Sequence, residues 1–276
     1  MLARSSTRTS VAGALAALVA SLMGGPAQLG GSHAAAAPSS ALKVAAAADL
    51  ALAFREVGAA YEKKSGDKVI FSFGSTGLLE KQIVEGAPFD VFAAANISFA
   101  EDAIQSGVCA ADSKSLYARG RIVVWWQKDS KVAAPTSLEA LADKRFVKVA
   151  IANPAHAPYG KAAQQAMQKA GIWAAVQPRL VFGENVQQTL QFAQSGNAEV
   201  AVVALSLAVV SDGSYLVVDD ALHSPIDQAL VTCGKDPERQ KRARAFTAFV
   251  NSADGRVIMK RFGFLLPGET RTASAK

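Results

Sequence analysis

Residues 71–86 join an apolar strand to a helix through a turn that contains glycines and hydroxyl side chains. Gly74 and Gly77 let the backbone approach a ligand closely, and Ser75 and Thr76 add side-chain donors. Backbone N–H groups in the first turn of a helix lack intrahelical partners, and the helix dipole adds partial positive charge there. The junction can therefore hold an anion. Ser75 or Thr76 could also serve only as a helix cap.

Similar junctions recur along the chain. Residues 43–49 predict a buried strand of small side chains, followed by a helix with Asp49 at its N-cap position. Residues 149–160 and 180–189 again lead from a strand through a loop into a helix. Alternating strands and helices predict parallel sheets covered by helices on both faces, and such sheets bind ligands at the carboxyl ends of their strands. Asp49 and Ser75 fall at such ends.

The alternation restarts after Gly120, which predicts a second lobe. We expect a two-lobed α/β protein in which each lobe is a mostly parallel sheet flanked by helices. The predicted strands include 69–73, 90–94, 121–126, 147–151, 200–204, 215–218 and 228–232, with terminal helices over 237–262. We assign 41–120 plus 228–269 to lobe I, 121–227 to lobe II and 270–276 to a flexible tail.

The N-terminal 36 residues have the pattern of a secretory signal peptide. Arg4 and Arg8 precede an apolar run over residues 11–23, and a stretch of small residues follows without any acidic side chain. The apolar run is shorter than the roughly 18 residues that a membrane-spanning helix requires. We therefore expect the mature protein to be exported to the periplasm.

Charge and cysteine content narrow the possible functions. Without Arg4 and Arg8, 27 of the 29 basic residues remain against 23 acidic residues, and this small excess argues against nucleic-acid binding. The three histidines are scattered and the two cysteines match no metal spacing, so neither a metal site nor a cofactor is predicted. In an exported chain, Cys109 and Cys233 are expected to form a disulfide.

Six motifs in order resemble those of the periplasmic molybdate-binding proteins of ABC importers, over nearly the whole mature chain. The motifs are VAAAADL at 44–50, FGSTG at 73–77, GAPFDVF at 86–92, NPAHAPYG at 153–160, GENV at 183–186 and RFGF at 261–264. The resemblance implies a monomeric type II-like binding protein without enzymatic activity. It would close on molybdate or tungstate between its lobes and deliver the anion to a membrane permease.

The resemblance also implies the ligand contacts. These are Asp49, Ser75, Thr76, Tyr159 and, through its backbone N–H, Val186. Family members usually have a hydroxyl or amide side chain where this chain has Asp49, and some have a tyrosine at about the position of Ala204. We expect the Asp49 carboxylate to cap its own helix while the N–H of Leu50 faces the anion. In the alternative, Asp49 is protonated or accepts a proton carried by the ligand.

Other interpretations of the sequence remain open. The ligand could be another tetrahedral oxyanion such as phosphate or sulfate. An exported phosphoester hydrolase would need an activated nucleophile or a metal cluster, and an anion sensor would need a tether or partner domain. Near the predicted site, His156 is expected to be a solvated loop residue and Asn185 a helix cap. Hinges between the lobes are expected near 119–121 and 224–228.

Overall fold

The computed structural model describes residues 41–269. The predicted signal peptide at 1–36 and the predicted tail at 270–276 lie outside these residues. The strands of the described chain are β1 (Leu42–Ala47), β2 (Val69–Gly74), β3 (Val91–Ala94), β4 (Ser115–Gly120), β5 (Ile122–Trp126), β6 (Val149–Ala152), β7 (Leu180–Gly183), β8 (Val200–Ala204), β9 (Ser214–Val217) and β10 (Ile226–Thr232).

The strands form two five-stranded sheets with related topologies. The first has the order β2-β1-β3-β10-β4, and the second has the order β7-β6-β8-β5-β9. In the first sheet β1 pairs in parallel with β2 and β3, whereas β10 is antiparallel to both of its neighbours. In the second sheet β6 pairs in parallel with β7 and β8, whereas β5 is antiparallel to both of its neighbours. The predicted α/β architecture of two sheets is confirmed, and each sheet is mixed, because two of its four strand pairings are parallel and two are antiparallel.

Helices connect the parallel strands and cover the sheets. They are α1 (Ala53–Ser65), α2 (Thr76–Val84), α3 (Ile97–Gln105), α4 (Pro158–Lys169), α5 (Trp173–Val176), α6 (Val186–Gln194), α7 (Leu205–Ala208), α8 (Pro237–Val250) and α9 (Ala253–Arg261). Every residue of β3, β6 and β8 is buried, as expected for strands with helices on both faces. No helix within residues 41–269 is long and apolar enough to cross a membrane.

Helix ends follow local sequence signals in most cases. Gly66 ends α1 in the left-handed conformation, with φ of 79°. The side chain of Asn185 accepts hydrogen bonds from the N–H groups of Gln187 and Gln188, which confirms the predicted cap of α6. The start of α1 is different. It begins at Ala53, after a separate 3₁₀ turn over Ala48–Leu50, so the helix predicted to follow Asp49 directly starts later.

The chain crosses between the sheets at two places. β4 of the first sheet leads directly into β5 of the second, and the segment after β9 returns to β10 of the first. The C-terminal segment braces the first crossing, because Arg119 and Leu265 exchange two backbone hydrogen bonds and the Arg121 guanidinium donates to the carbonyl of Gly263. These crossings lie where the sequence predicts hinges.

A disulfide joins Cys109, which follows α3, to Cys233, which follows β10. The two residues are separated by 124 positions and are both buried. Their backbones also form an isolated antiparallel bridge. The bond therefore fixes the end of β10 to the segment between α3 and β4.

Candidate functional site

The residues predicted to contact a ligand line one small cavity between the two sheets. Its volume is about 10 Å³, roughly the space of one water molecule. The lining residues are Ala47, Ala48, Asp49, Gly74, Ser75, Thr76, Ala95, Ala157, Pro158, Tyr159, Asn185 and Val186. The structure thus brings together Asp49, Ser75 and Thr76 from the first sheet's connections with Tyr159 and Val186 from the second's.

Three helices begin at this cavity. The N-terminal ends of α2, α4 and α6 supply the lining residues Thr76, Pro158 and Val186, and the residue preceding each helix also lines the cavity. First-turn N–H groups and helix dipoles make such a point favourable for an anion. The lining contains no Lys, Arg or His. The cavity therefore offers neutral donors to an anion without a balancing cation.

The carboxylate of Asp49 takes part in a buried hydrogen-bond network. Its Oδ2 accepts from the hydroxyl of Tyr159 (2.9 Å) and from Nε2 of Gln228 (2.7 Å). Gln228 Nε2 also donates to the Tyr159 hydroxyl (3.0 Å), and Gln228 Oε1 accepts from the hydroxyl of Tyr117 (2.6 Å). The expectation that Asp49 caps its own helix is wrong, because these partners from α4 and β10 engage the carboxylate and neither the 3₁₀ turn nor α1 has a side-chain cap.

Burial dominates the electrostatics of this network. It raises the pKa of Asp49 to about 6, although the hydrogen bonds from Gln228 and Tyr159 act in the opposite direction. The other carboxylate oxygen, Oδ1, is buried without a hydrogen-bond partner. Burial, and then the nearby charge of Asp49, raise the pKa values of Tyr117 and Tyr159 well above the usual range. Both tyrosines are therefore neutral hydrogen-bond donors.

Ser75 links the two sides of the cavity. Its hydroxyl donates to the backbone carbonyl of His156 (2.7 Å), and the N–H of Gly77 donates to the same carbonyl (3.0 Å). The Nδ1 of His156 lies 2.8 Å from Ser75 Oγ. Ser75 makes no side-chain cap bond to α2, and Thr76 Oγ1 accepts from the N–H of Ala95. His156, predicted to be a solvated loop residue, is instead half-buried against Ser75.

The contact between Ser75 and His156 does not create an activated nucleophile. A hydroxyl has one proton to donate, and Ser75 donates it to the His156 carbonyl. With that proton engaged, Ser75 Oγ has none to give to Nδ1 of His156, whereas an activated nucleophile requires a base that accepts its proton. Among residues 41–269, no group of three or more His, Cys, Asp or Glu side chains could hold a metal ion.

Sequence reasoning missed two polar contributors to the site. Gln228 lies fully buried in β10 and is the hydrogen-bond partner that connects Asp49 to Tyr117. A single amide side chain among the apolar residues of this strand is the signal that could have identified it. Ser206, at the start of α7, donates to the backbone carbonyl of Asp49 (2.8 Å). Ala204, the position of the tyrosine in some family members, is a buried residue at the end of β8.

Comparisons with known proteins agree with the fold. The chain is 34% identical to the molybdate-binding protein ModA of Rhodobacter capsulatus over 80% of this chain and 86% of that protein. It is 35% identical to the molybdate-binding protein ModA of Azotobacter vinelandii over 83% of this chain and 91% of that protein. The solved structure of the Azotobacter vinelandii periplasmic molybdate-binding protein superposes with a TM-score of 0.75 at 30% identity, covering 82% of this chain and 99% of that one.

The fold extends to more distant proteins. The sulfate-binding protein SubI of Mycobacterium tuberculosis superposes with a TM-score of 0.72 at 12% identity, covering 83% of this chain and 87% of that one, which shows the fold alone. Residues 42–265 match the sequence model of a family that is described as bacterial extracellular solute-binding protein. This match includes both sheets and every residue of the cavity. The chain therefore belongs to the family of bacterial extracellular solute-binding proteins.

Proposed function

We propose that this protein captures molybdate, or its analogue tungstate, in the cavity between the two sheets and delivers it to the membrane permease of an ABC importer. The observation that carries the proposal is the convergence of three helix N-termini from both sheets on a cavity without a cation. The relatives at 34% and 35% identity are named molybdate-binding proteins, and these names are the reason for proposing molybdate as the anion. The protein would act from the periplasm as a monomeric binding protein rather than as an enzyme.

The proposed contacts are hydroxyl and backbone donors. Ser75, Thr76 and Tyr159, which carry hydroxyl groups, and Val186, whose backbone N–H lies in the first turn of α6, line the cavity from both sides. A tetrahedral dianion offers four oxygens, each able to accept more than one hydrogen bond. Hydrogen bonds to a charged acceptor are stronger than those between neutral groups. The anion would therefore be held by donors from both sheets at once.

We further propose that binding is coupled to closure of two lobes, 41–120 plus 228–269 and 121–227. The cavity has room for about one water molecule, so a larger oxyanion can enter only if its walls separate. The bonds from Ser75 and Gly77 to the His156 carbonyl join the two walls and would break on opening. The crossings near 119–121 and 224–228 would act as the hinges.

Calorimetric titration with molybdate, tungstate, sulfate and phosphate tests the proposal. We expect molybdate and tungstate to bind one per chain, and sulfate and phosphate to bind more weakly. A second candidate, a receptor for a protonated oxyanion such as hydrogen phosphate, is favoured by the carboxylate of Asp49 in the cavity. Preferential binding of phosphate would support that candidate, and no binding of any of the four anions would contradict an oxyanion function.

A further inference from the structure

The unpaired oxygen of Asp49 is the feature of the cavity that the proposed function does not explain. Asp49 is 1% exposed and lines the cavity, and its Oδ1 has no hydrogen-bond partner. A buried acceptor without a partner costs free energy. Oδ2 is already engaged by donors from Tyr159 and Gln228, so Oδ1 is the oxygen left for a ligand.

An ionised carboxylate at this position would oppose a bound dianion. At hydrogen-bond distance in a dry cavity, like charges repel strongly, because little solvent screens them. The cavity lining contains no cation that could offset the repulsion. A neutral carboxylic acid removes the repulsion and adds a donor, since its proton can be given to an oxygen of the anion.

We propose that Asp49 takes up one proton from solvent when the oxyanion binds, and that Oδ1 carries this proton and donates it to an oxygen of the ligand. The two existing hydrogen bonds fix the site of protonation, because Oδ2 accepts twice and Oδ1 accepts from nothing. Asp49 would then be a specificity-determining residue that makes dianion binding dependent on pH. This inference rests on the proposed function of the cavity.

The surroundings of Asp49 contain few other groups that could produce the same pH dependence. Tyr117 on β4 and Tyr159 on α4 are neutral, because burial raises the pKa of each. β2, α6 and α7, which pack against the turn that holds Asp49, contain no ionisable residue. Farther along β4 and β10, Arg119 and Asp227 form an ion pair with each other.

His156 is the remaining ionisable side chain that requires a control. It contacts Ser75 but does not itself line the cavity. Lys161, two residues after Tyr159 on α4, is exposed. Histidine side chains can change charge between pH 5 and 8. A His156→Gln variant therefore separates any contribution of His156 to the pH dependence of binding from that of Asp49.

The expected pH window follows from the raised pKa of Asp49, about 6 in the absence of ligand. Only the protonated form binds the dianion well, and the protonated fraction falls as the pH rises above 6. Half of the molecules are protonated at pH 6 and about one in a hundred at pH 8, so the association constant should fall about fiftyfold between these values. Below pH 5 the dependence should level off.

The test is calorimetric titration of molybdate from pH 5 to pH 8, in two buffers that are not oxyanions and differ in ionisation enthalpy. Dilute molybdate remains a dianion over this range, so its own charge does not change. The parent should take up close to one proton per bound molybdate at pH 8 and almost none at pH 5. Asp49→Asn should bind with a nearly constant affinity, take up no proton and exceed the parent at pH 8. His156→Gln should keep the pH dependence of the parent.

The outcomes distinguish this inference from the proposed function. Molybdate binding by the parent with a flat pH profile and no proton uptake would overturn the role of Asp49 and leave the function intact. Loss of the pH dependence in His156→Gln would also overturn it. A parent that prefers phosphate, with the preference lost in Asp49→Asn, would mean that Asp49 accepts a proton from the ligand. If neither the parent nor Asp49→Asn binds molybdate at any pH, the proposed function itself fails.

Discussion

At the scale of single residues, Tyr159 connects the cavity to the buried network. Its hydroxyl donates to Asp49, accepts from Gln228 and lies at the cavity wall. The structure leaves no room for a side chain at Gly120, because a Cβ there would lie 2.0 Å from this hydroxyl. The position of the hydroxyl is therefore fixed by the backbone of β4 as well as by its hydrogen bonds.

We predict that Tyr159→Phe and Ser75→Ala each weaken molybdate binding. Ser75→Ala removes a donor beside a buried dianion, and Tyr159→Phe removes the donor that holds the Asp49 carboxyl group in place at the cavity. A hydrogen bond to a charged group contributes roughly 1.5 to 3 kcal/mol. Calorimetry should show a tenfold or larger loss of affinity for each variant. Tyr215→Phe, at a position 41% exposed on β9, is the matched control and should bind like the parent. Unchanged affinity in both site variants would show that neither hydroxyl supports ligand binding.

A second prediction at this scale concerns the stability of the ligand-free protein. Burial raises the pKa of Asp49 from 3.8 to about 6, so the folded chain binds more protons than the unfolded chain between these values. The free energy of unfolding should therefore fall as the pH rises from about 4 to 6, by at most about 3 kcal/mol. Asp49→Asn lacks this penalty and should be the more stable protein above pH 6.

Urea unfolding of the two proteins at pH 4, 6 and 8 measures this difference. The advantage of Asp49→Asn should be largest at pH 8 and should shrink towards pH 4. Asp129→Asn, at an exposed position, controls for the loss of one negative charge. An equal stability difference at all three pH values would show that Asp49 does not titrate in this range in the folded protein.

At the scale of elements, α2 and the loop before α4 meet at Gly77. A Cβ at this position would lie 3.0 Å from the His156 carbonyl oxygen, 3.1 Å from the Phe99 ring and 3.2 Å from the His156 Cβ. These distances are shorter than ordinary van der Waals contacts. The absence of a side chain at Gly77 therefore lets the loop dock against the first turn of α2.

We predict that Gly77→Ala weakens molybdate binding more than it lowers ligand-free stability. The added methyl group crowds the contact that joins the two cavity walls, whereas alanine favours the helical conformation of α2. Thermal unfolding with and without molybdate should show a smaller ligand-induced shift than in the parent. Gln82→Ala, on the exposed face of the same helix, should retain the full shift. A full shift in Gly77→Ala would mean that this contact is not part of ligand-induced closure.

The disulfide provides a prediction about the first sheet. Cys109 and Cys233 close a loop with a sequence separation of 124, and on the chain-entropy model such a bond contributes about 4 to 5 kcal/mol. Thiol titration of the unfolded, unreduced protein should find no free thiol. The double variant Cys109→Ser, Cys233→Ser should have a lower free energy of unfolding than the parent. Two free thiols would exclude the bond in the isolated protein.

The sequence predicts the elements better than it predicts the contacts between them. β8 was predicted with its observed bounds, because Val200–Ala204 is a continuous apolar run. The sequence does not predict β4 as a strand, because the segment SLYARG lacks a continuous apolar run, and in the structure Leu116 is 46% exposed. It is held in place by pairing with β10, which lies more than a hundred residues further along the chain.

The candidate site shows the same limit. Helix N-termini and hydroxyl residues could be located from local patterns, and these residues meet at one cavity. The role of Asp49 could not be predicted from local patterns, because its partners Tyr159 and Gln228 are 110 and 179 positions away. A local rule assigns a carboxylate before a helix to capping. Tertiary contacts with α4 and β10 override that rule here.

At the scale of the whole molecule, the two sheets meet at the cavity that we propose as the anion site. One apolar cluster contains core residues from both sheets. Polar contacts between the two sides are concentrated at the cavity, where Tyr159 meets Asp49 and Ser75 meets His156. A ligand held from both sides would therefore stabilise the association of the sheets. At 100 times its dissociation constant, such a ligand adds about 2.7 kcal/mol to the free energy of unfolding.

The most direct test of the central claim is X-ray diffraction from crystals grown with molybdate, with data collected at the molybdenum absorption edge. Molybdenum scatters anomalously there, so its position can be located without reference to the protein. We predict one strong anomalous peak per chain, with the anion's oxygens within hydrogen-bond distance of Ser75 and the N–H of Val186. A peak elsewhere on the protein, or no peak at saturating molybdate, would contradict the assignment of this cavity as the binding site.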